Sequence, residues 1–305
     1  MSYLKVENLS KSYGKINAVT DFSFEVNQGE IYALVGPDGA GKTTIMRTIC
    51  NLIGSDSGTI QVNGFDSVKD YLKIKPLLGY MPQVFSLYPD LSVEENLTFY
   101  GGIYNITGKA YREKTEYLYR FSNLKPFAKR RAQALSGGMK QKLALSCALM
   151  HEPALLLLDE PTTGVDPLSR RQFWEILLEL KKQGVTILVS TPYMDEVARA
   201  DRACFIFRGR KLTEGSPADL PKLFERQVFF LETQSALESV DALNQIPGIE
   251  ARRFGSGVHV YLAKNESPES YTRQFNQLGF FASDLKPIEP DLEDVFIQMM
   301  GSNNE

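Results

Sequence analysis

The chain has little of what secreted, zinc-binding or membrane-spanning proteins carry. Its 305 residues include three cysteines and two histidines. Cys50, Cys147 and Cys204 lie far apart in apolar segments, which argues against a disulfide framework or a zinc cluster and predicts reduced core thiols. The longest apolar run lies around residues 154–158, well short of the ~20 residues that span a bilayer. No signal-peptide pattern follows Met1.

A strong net charge is also missing. Lys and Arg number 34 against 37 Asp and Glu, which gives a net charge of −3. Nothing in this balance directs the chain to nucleic acid, and we expect no nucleic-acid partner. Hydrophobic residues make up 43% of the chain, which is enough for an ordinary globular core. The length suits one large and one small domain.

The most informative segment fits the phosphate-loop pattern G-x-x-x-x-G-K-[ST]. It consists of Gly36, Pro37, Asp38, Gly39, Ala40, Gly41, Lys42, Thr43 and Thr44. An apolar strand precedes it and a helix-like segment follows. The glycines let successive N–H groups point at phosphate oxygens, and the helix start adds its positive dipole end. Lys42 would then reach the β- and γ-phosphates, and Thr43 would place a hydroxyl on Mg²⁺.

Two carboxylates end a second apolar strand, which runs over Leu155–Leu158. Asp159 at the strand tip can hold Mg²⁺ through water, and Glu160 can orient or deprotonate an attacking water. Together with a phosphate loop, this pair predicts nucleoside triphosphate hydrolysis.

Between residues 92 and 150 the chain reads as mostly helical, beginning at a capping-box pattern over Ser92–Glu95. Within this block, the segment Leu135–Gln141 opens a helix with Ser136, Gly137 and Gly138. A hydroxyl and free N–H groups at a helix start form a second anion site.

These motifs resemble the series found in ABC ATPases, in order and in spacing. They are the phosphate loop, Gln83, Leu135–Gln141, Leu155–Glu160 and Thr163–Asp166. The resemblance covers roughly residues 3–220. It implies an α/β ABC-type P-loop nucleotide-binding domain over residues 1–222, with a helical signature subdomain at about 92–150. It also implies that two such domains sandwich ATP head to tail, so that a monomer hydrolyses ATP poorly.

The resemblance assigns further roles residue by residue. Tyr13 would stack on adenine, and Gln83 would touch Mg²⁺ and the attacking water. Ser136, Gly137 and Gly138 would complete the phosphate loop of the partner domain. Asp166 would contact the opposite site across the dimer, in addition to the helix N-cap role that its own position indicates.

One position departs from the family pattern. After the apolar run that ends at Thr191, the family places a histidine that reaches the γ-phosphate, and this chain has Pro192. Proline brings neither a side-chain donor nor an N–H. We therefore expect slow but nonzero hydrolysis. A homodimer and a heterodimer, in which the partner supplies its own histidine, both stay open.

Residues 226–300 read as a small, separate α+β domain with the order β-α-β-β-α-β, ferredoxin-like in topology. Its last strand is predicted over 280–285, its closing helix over Pro290–Met300, and a tail over 301–305. The stretch Pro287–Phe296 resembles the P-S-L-E-D-V-F tail of ABC-2-type exporter ATPases, with Asp291 in place of serine.

That tail implies a separate ABC-2-type membrane permease as partner and a place for this chain at the cytoplasmic face of the inner (plasma) membrane, bound peripherally. The segment Thr191–Glu196 and the Gly-Pro-Asp start of the phosphate loop also resemble a bacterial subgroup associated with drug efflux, so a multidrug-type exporter is the implied class. The segment with Val84, Phe85, Leu87 and Tyr88 would dock the permease.

Three other functions compete with the exporter. A soluble ABC-type ATPase of ribosomes or DNA would carry tandem domains or a long coiled coil, and this chain shows one phosphate loop without heptads. An importer ATPase lacks the Leu292–Phe296 tail. A nucleotide-gated regulator without a transport role is compatible with Pro192.

Overall fold

The computed structural model describes residues 2–302 and divides into two compact units, with the boundary between Pro217 and Ala218. Within residues 2–302, no helix combines the length and the apolar character that crossing a membrane requires. The functional division of the chain predicted from the sequence stays a prediction.

The first unit alternates strands and helices. Its described strands are β1 (Ser2–Tyr13), β2 (Ile16–Asn27), β3 (Ile31–Val35), β4 (Ser57–Val62), β5 (Phe65–Asp66), β6 (Leu78–Met81), β7 (Leu155–Asp159), β8 (Thr186–Thr191), β9 (Arg202–Phe207) and β10 (Arg210–Gly215). Its described α-helices are α1 (Lys42–Ile49), α2 (Tyr71–Ile74), α3 (Val93–Ile103), α4 (Gly108–Ser122), α5 (Gly137–Ala148), α6 (Pro167–Lys182) and α7 (Met194–Val197).

A six-stranded sheet with the order β10-β9-β3-β8-β7-β6 forms the centre of this unit. The neighbours from β9 to β6 run parallel, and β10 adds an antiparallel edge. Every residue of β3, β7 and β8 is buried, which explains why these strands show no alternation of apolar and polar residues. Because parallel strands end at one edge, the residues that follow β3, β7 and β8 meet there.

A second sheet, with the order β2-β1-β4-β5, is antiparallel. Along β2, Phe22, Phe24 and Val26 are buried and alternate with more exposed residues, as predicted. One core cluster joins these side chains to buried residues of β3, α1 and β7. The three cysteines are buried and free, also as predicted, and burial raises the pKa of Cys50 and Cys204 to about 12.

The predicted helix starts in this unit are confirmed by their caps. At α3, Ser92 Oγ accepts the N–H of Glu95 at 3.1 Å, and the Glu95 carboxylate accepts the N–H of Ser92 at 2.7 Å. At α6, Asp166 accepts the N–H of Ser169 at 2.9 Å. These contacts satisfy donors that a helix start leaves open.

The second unit contains β11 (Arg226–Glu232), α8 (Ala236–Leu243), β12 (Glu250–Phe254), β13 (Gly257–Ala263), α9 (Thr272–Gln277), β14 (Leu285–Ile288) and α10 (Leu292–Ser302). The strands form one antiparallel sheet with the order β12-β13-β11-β14. Chain order and sheet order together define the ferredoxin-like topology that the sequence predicted.

The bounds of two elements in this unit were predicted wrongly. The last strand is β14, which starts at Leu285, because a short 3₁₀ turn over Ala282–Asp284 occupies half of the predicted strand. The closing helix begins at Leu292 and runs to Ser302, two residues past the predicted end. Asp291 accepts the N–H of Asp294 at 2.9 Å and so caps this helix one residue before its start. The rest of the predicted tail, residues 303–305, lies outside the described residues.

The tail segment Pro287–Phe296 has a structural role at the start of α10. Asp294 is buried, and its Oδ1 accepts hydrogen bonds from the hydroxyl of Tyr261 at 2.7 Å and from Nδ1 of His259 at 2.9 Å. Val295 is buried beside it. The segment therefore fastens the last helix to β13.

Candidate active site

The loop Gly36–Gly41 joins the buried end of β3 to the first turn of α1. Gly41 has a φ of 108°, and a Cβ built on it would lie 2.4 Å from the carbonyl oxygen of Ala18. Only glycine fits this position. Asp38 and Gly39 are exposed at the tip of the loop. The loop therefore places the N-terminal end of α1, with its dipole, at the carboxyl edge of the sheet.

Lys42 lies at the base of this loop with its side chain 3% exposed. Its Nζ donates to the carbonyl oxygens of Gly36 at 2.6 Å and Pro37 at 2.9 Å, and it lies 3.0 Å from Oε1 of Glu160. Two buried opposite charges thus compensate each other, which a buried carboxylate requires. Thr43 and Thr44 follow on the first turn of α1, both partly exposed.

Glu160 is held by several groups. Oε2 accepts Nε2 of Gln83 at 2.9 Å and the hydroxyl of Thr163 at 3.2 Å. Its backbone has a φ of 48°, in the left-handed region that costs about 1–3 kcal/mol for a residue with a side chain. The N–H of Glu160 bonds the carbonyl oxygen of Ser190 at 3.2 Å and its hydroxyl at 2.9 Å. The strained turn aims the carboxylate at Lys42, and these contacts hold it there.

Asp159 is fully buried at the end of β7. Its Oδ1 accepts the hydroxyl of Ser190 at 2.8 Å, whereas Oδ2 is buried and has no hydrogen-bond partner among the described residues. Burial raises the pKa of Asp159, and the hydrogen bond from Ser190 together with the nearby Thr43 hydroxyl opposes this rise. A buried carboxylate oxygen without a partner suits a hydrated cation, so the residues present fit Mg²⁺.

Ser190 was not predicted as a site residue. It is fully buried in β8, where β7 and β8 pair Asp159 with Ser190. Its single hydroxyl donates to Asp159 and accepts from the N–H of Glu160, so it fixes both acidic residues. A polar residue near the carboxyl end of an apolar parallel strand is the signal that could have identified it.

The signature residues lie elsewhere on this unit. Ser136 and Gly137 are exposed, and the Ser136 hydroxyl accepts the N–H of Met139 at 3.3 Å within its own helix. A Cβ built on Gly138 would lie 2.6 Å from the side chain of Ser169, so α5 and α6 start side by side. Among residues 2–302, no hydrogen bond joins these residues to the phosphate loop. Asp166 is exposed next to them.

Tyr13 and Pro192 complete the predicted set. Tyr13 lies at the end of β1 with 48% of its surface exposed, and its ring centroid is 5.7 Å from Nζ of Lys11. Pro192 directly follows β8 and is partly exposed. The structure thus brings Lys42, Asp159, Glu160 and Gln83 together around the phosphate loop, and it keeps the signature residues apart from them.

Comparisons with known proteins identify the family of this chain. The profile of the family described as ABC transporter matches residues 19–163. The chain is 43% identical over 289 residues to a relative described as "Probable multidrug ABC transporter ATP-binding protein YbhF" of Escherichia coli (strain K12), covering 93% of this chain and 49% of the relative. The chain thus spans about half the length of YbhF. It is 32% identical to "Linearmycin resistance ATP-binding protein LnrL" of Bacillus subtilis (strain 168), with 98% of each chain covered.

Among solved structures, a dimeric post-hydrolysis ATP-binding cassette bound to ADP and Pi superposes with a TM-score of 0.64 and 25% identity, covering 70% of this chain and 98% of that chain. The fold and the phosphate-loop site define an ATP-binding cassette, a class of P-loop ATPase. The chain belongs to the ABC transporter family. Within that family it is similar to ATP-binding proteins of multidrug and linearmycin-resistance type.

Proposed function

We propose that this chain is the ATP-binding and ATP-hydrolysing subunit of an ABC-2-type exporter, which couples head-to-tail dimerisation to efflux through a separate membrane permease. The observation that carries this proposal is the separation of two half-sites on one unit. Lys42, Asp159 and Glu160 surround the phosphate loop, and Ser136 and Gly137 are exposed on another surface. A second ATPase domain, identical or different, would bring its signature to this chain's phosphate loop. The dimeric state of the similar cassette structure supports this arrangement.

Thr43, Gln83 and Asp159 would hold Mg²⁺ with ATP bound. In the described residues, no group of three or more His, Cys, Asp and Glu side chains could hold a metal by itself. The ion would therefore depend on phosphate oxygens and waters for its remaining ligands. When bound, Mg²⁺ neutralises developing charge on the phosphates.

The protein's own residues supply positioning and one proton acceptor. Gln83 donates to Glu160 at 2.9 Å, so the amide and the carboxylate can bind one water between them and the γ-phosphate. Glu160 takes the proton as that water attacks the γ-phosphorus, and the bond from phosphorus to the β–γ bridging oxygen breaks so that ADP leaves. Lys42 leaves Glu160 for the phosphate and compensates its charge. Tyr13, exposed at the end of β1, would stack on adenine.

Pro192 supports slow turnover at this site. It stands directly after β8, at the sheet edge where β7 ends in Asp159. A residue here that donates to the transition-state phosphate would be worth about 3 kcal/mol, or roughly 100-fold in rate. Proline offers no such donor. In a heterodimer, this chain's intact signature would complete the partner's site instead.

The surface after β6 supports a membrane partner. Val84 is 75% exposed and Tyr88 47% exposed, and the Tyr88 ring packs edge-on against exposed Phe99 at 4.6 Å between centroids. Such an exposed apolar surface suits a short helix of a permease. Leu87, predicted to belong to this surface, is instead buried. Binding there would place the chain at the cytoplasmic face of the inner membrane as a peripheral subunit.

The test is capture of partners by a trapped ATP state. Glu160→Gln with ATP and Mg²⁺ is used as bait on detergent-solubilised membranes, and partners are identified by mass spectrometry. We expect a six-helix permease, and a second ATPase if the pair is asymmetric. Adding Val84→Asp and Tyr88→Asp should lose the permease while ATP-driven dimerisation persists. Capture of ribosomal or DNA-associated proteins without a permease would contradict the exporter.

Pro192 also favours a second candidate, a nucleotide-gated regulator that binds ATP without useful turnover. Equal ATP hydrolysis by the wild type and by Glu160→Gln would support this regulator. A wild-type rate clearly above that of the variant supports the motor.

A further inference from the structure

Arg170 joins α6 to the segment that follows β8. Its Nε donates to Glu196 Oε1 at 3.1 Å, and its Nη2 donates to both carboxylate oxygens of Asp195 at 2.9 and 3.0 Å. The guanidinium carbon also lies 4.0 Å from the ring centroid of Tyr193. Fork-like ion pairing and stacking together use the geometry that arginine has and lysine lacks.

The contacts continue from there to the end of β8. Glu196 is 2% exposed, and its Oε2 accepts the hydroxyl of Thr191 at 2.6 Å. The Thr191 hydroxyl in turn accepts the N–H of Tyr193 at 3.1 Å. Pro192 lies between these two residues. The backbone around Pro192 is thus held by a buried network that ends on Arg170.

Arg170 also belongs to the first turn of α6. Its N–H bonds the carbonyl oxygen of Asp166 at 2.9 Å. Asp166 is exposed beside the signature residues, on the surface proposed to face a second ATPase domain. One side chain therefore spans from the turn that carries Asp166 to the segment that carries Pro192.

We propose that Arg170 is a positioning residue for ATP hydrolysis, which couples contact at Asp166 to the position of the Pro192 segment beside the γ-phosphate. The inference rests on the proposed head-to-tail pairing. When a partner domain engages Asp166, the first turn of α6 moves as a unit, and Arg170 moves residues 191–196 with it. Within residues 2–302 no hydrogen bond or ion pair joins Arg170 to the phosphate loop or to the signature residues, so it acts through this segment and not on ATP itself.

The test is a double-mutant cycle on the rate of phosphate release at saturating ATP. Asp166→Asn keeps the N-cap, since Asn caps as well as Asp, but it removes the charge. Arg170→Lys keeps a cation near Glu196 and loses the fork and the stacking. We expect Arg170→Lys to lower kcat roughly tenfold with KM for ATP changed less than about twofold, since small displacements at a reaction site cost rate and not binding.

The double variant decides the matter. If contact at Asp166 acts through Arg170, adding Asp166→Asn to Arg170→Lys lowers kcat no further. The proposal would be overturned if the losses in kcat of the two single variants multiply in the double variant. It would also be overturned if Arg170→Lys changes KM for ATP without changing kcat. Asp195→Asn removes the exposed partner of the Arg170 ion pairs without leaving a buried charge, and it should lower kcat by a smaller factor, again with little change in KM.

The controls separate this proposal from the pairing on which it rests. Arg171→Ala changes the exposed neighbour, for which the described structure shows no ion-pair partner, and it should leave kcat unchanged. ATP-driven dimerisation of each variant is measured in the Glu160→Gln background. Failure of the parent Glu160→Gln protein to dimerise would refute the pairing. If the variants dimerise normally but the losses in kcat of Asp166→Asn and Arg170→Lys multiply in the double variant, only the role of Arg170 is refuted.

Discussion

Replacing Pro192 by histidine tests the proposed reaction most directly. The position is held in place before any substitution: β8 is paired on both sides, and Thr191 Oγ1 anchors the N–H of Tyr193 at 3.1 Å. The backbone that would carry a histidine at position 192 is therefore fixed next to the carboxyl end of β7. Histidine also supplies a ring N–H for the γ-phosphate, which proline cannot do.

The size of the gain follows from the value of one donor. A preorganised donor to transition-state charge contributes about 3 kcal/mol, roughly 100-fold in rate. Position 192 is partly exposed, and solvent weakens such contacts, so we expect about 30- to 100-fold. Replacing proline also raises the conformational entropy of the unfolded chain and so lowers the free energy of unfolding by about 0.5–1 kcal/mol. This loss is too small to mask the gain in hydrolysis rate.

The assay is steady-state and single-turnover phosphate release from purified, demonstrably dimeric protein with Mg²⁺ and ATP. Pro192→Ala is the matched control, because it removes proline without adding a donor, and its rate should stay near that of the wild type. Adding Glu160→Gln to Pro192→His should abolish the gain. An unchanged single-turnover rate for Pro192→His in a verified dimer would refute the reasoning.

Three further predictions concern buried groups. Ser190→Ala removes hydrogen bonds to Asp159 and Glu160 at 2.8 and 2.9 Å; it should lower the free energy of unfolding by about 2 kcal/mol and reduce kcat, as checked by denaturant titration and phosphate release. Asp159→Asn should raise the melting temperature of the nucleotide-free protein while abolishing turnover, because burial raises the pKa of this carboxyl and its ionised form costs stability; a lowered melting temperature would contradict this. Burial of Asp294 raises its pKa, but hydrogen bonds from His259 and others outweigh burial, so the net pKa lies below 3.8. The stability that this carboxylate contributes is complete above its unfolded pKa and is lost as pH falls through the folded pKa. In Asp294→Asn the free energy of unfolding of the second unit should therefore fall less steeply with decreasing pH below about pH 4, as measured by circular dichroism.

Much of the site was accessible from the sequence because its chemistry is local. A phosphate loop needs glycines, a lysine and a hydroxyl at fixed spacing between a strand and a helix, and β3, the loop and α1 follow that order. Asp159 and Glu160 were recognisable because acids directly follow an apolar strand. The helix starts at Ser92 and Asp166 were recognisable because a cap acts within three residues.

Errors arose where local pattern and three-dimensional contacts differ. The apolar residues of 280–285 suggested a strand, but the N–H of Phe281 bonds the Asp284 carboxylate at 3.3 Å and a 3₁₀ turn forms there. Leu87 looked like a docking residue because its neighbours are apolar and lie in a loop. Its burial depends on how the loop folds back, which its own sequence does not show.

The class of chemistry and the order of the elements could be read from the sequence, because both depend on residue types at short, fixed spacings, whereas the absence of a donor at Pro192 stays a prediction from the family resemblance. How Asp159 and Glu160 are held, and which side chains link α6 to the segment after β8, became visible only in the tertiary structure. Ser190 reaches Asp159 across 31 positions, and Arg170 reaches Asp195 across 25. Such contacts exist only once parallel strands and the helix beside them are packed, since sheet register and helix rotation select which polar side chains meet.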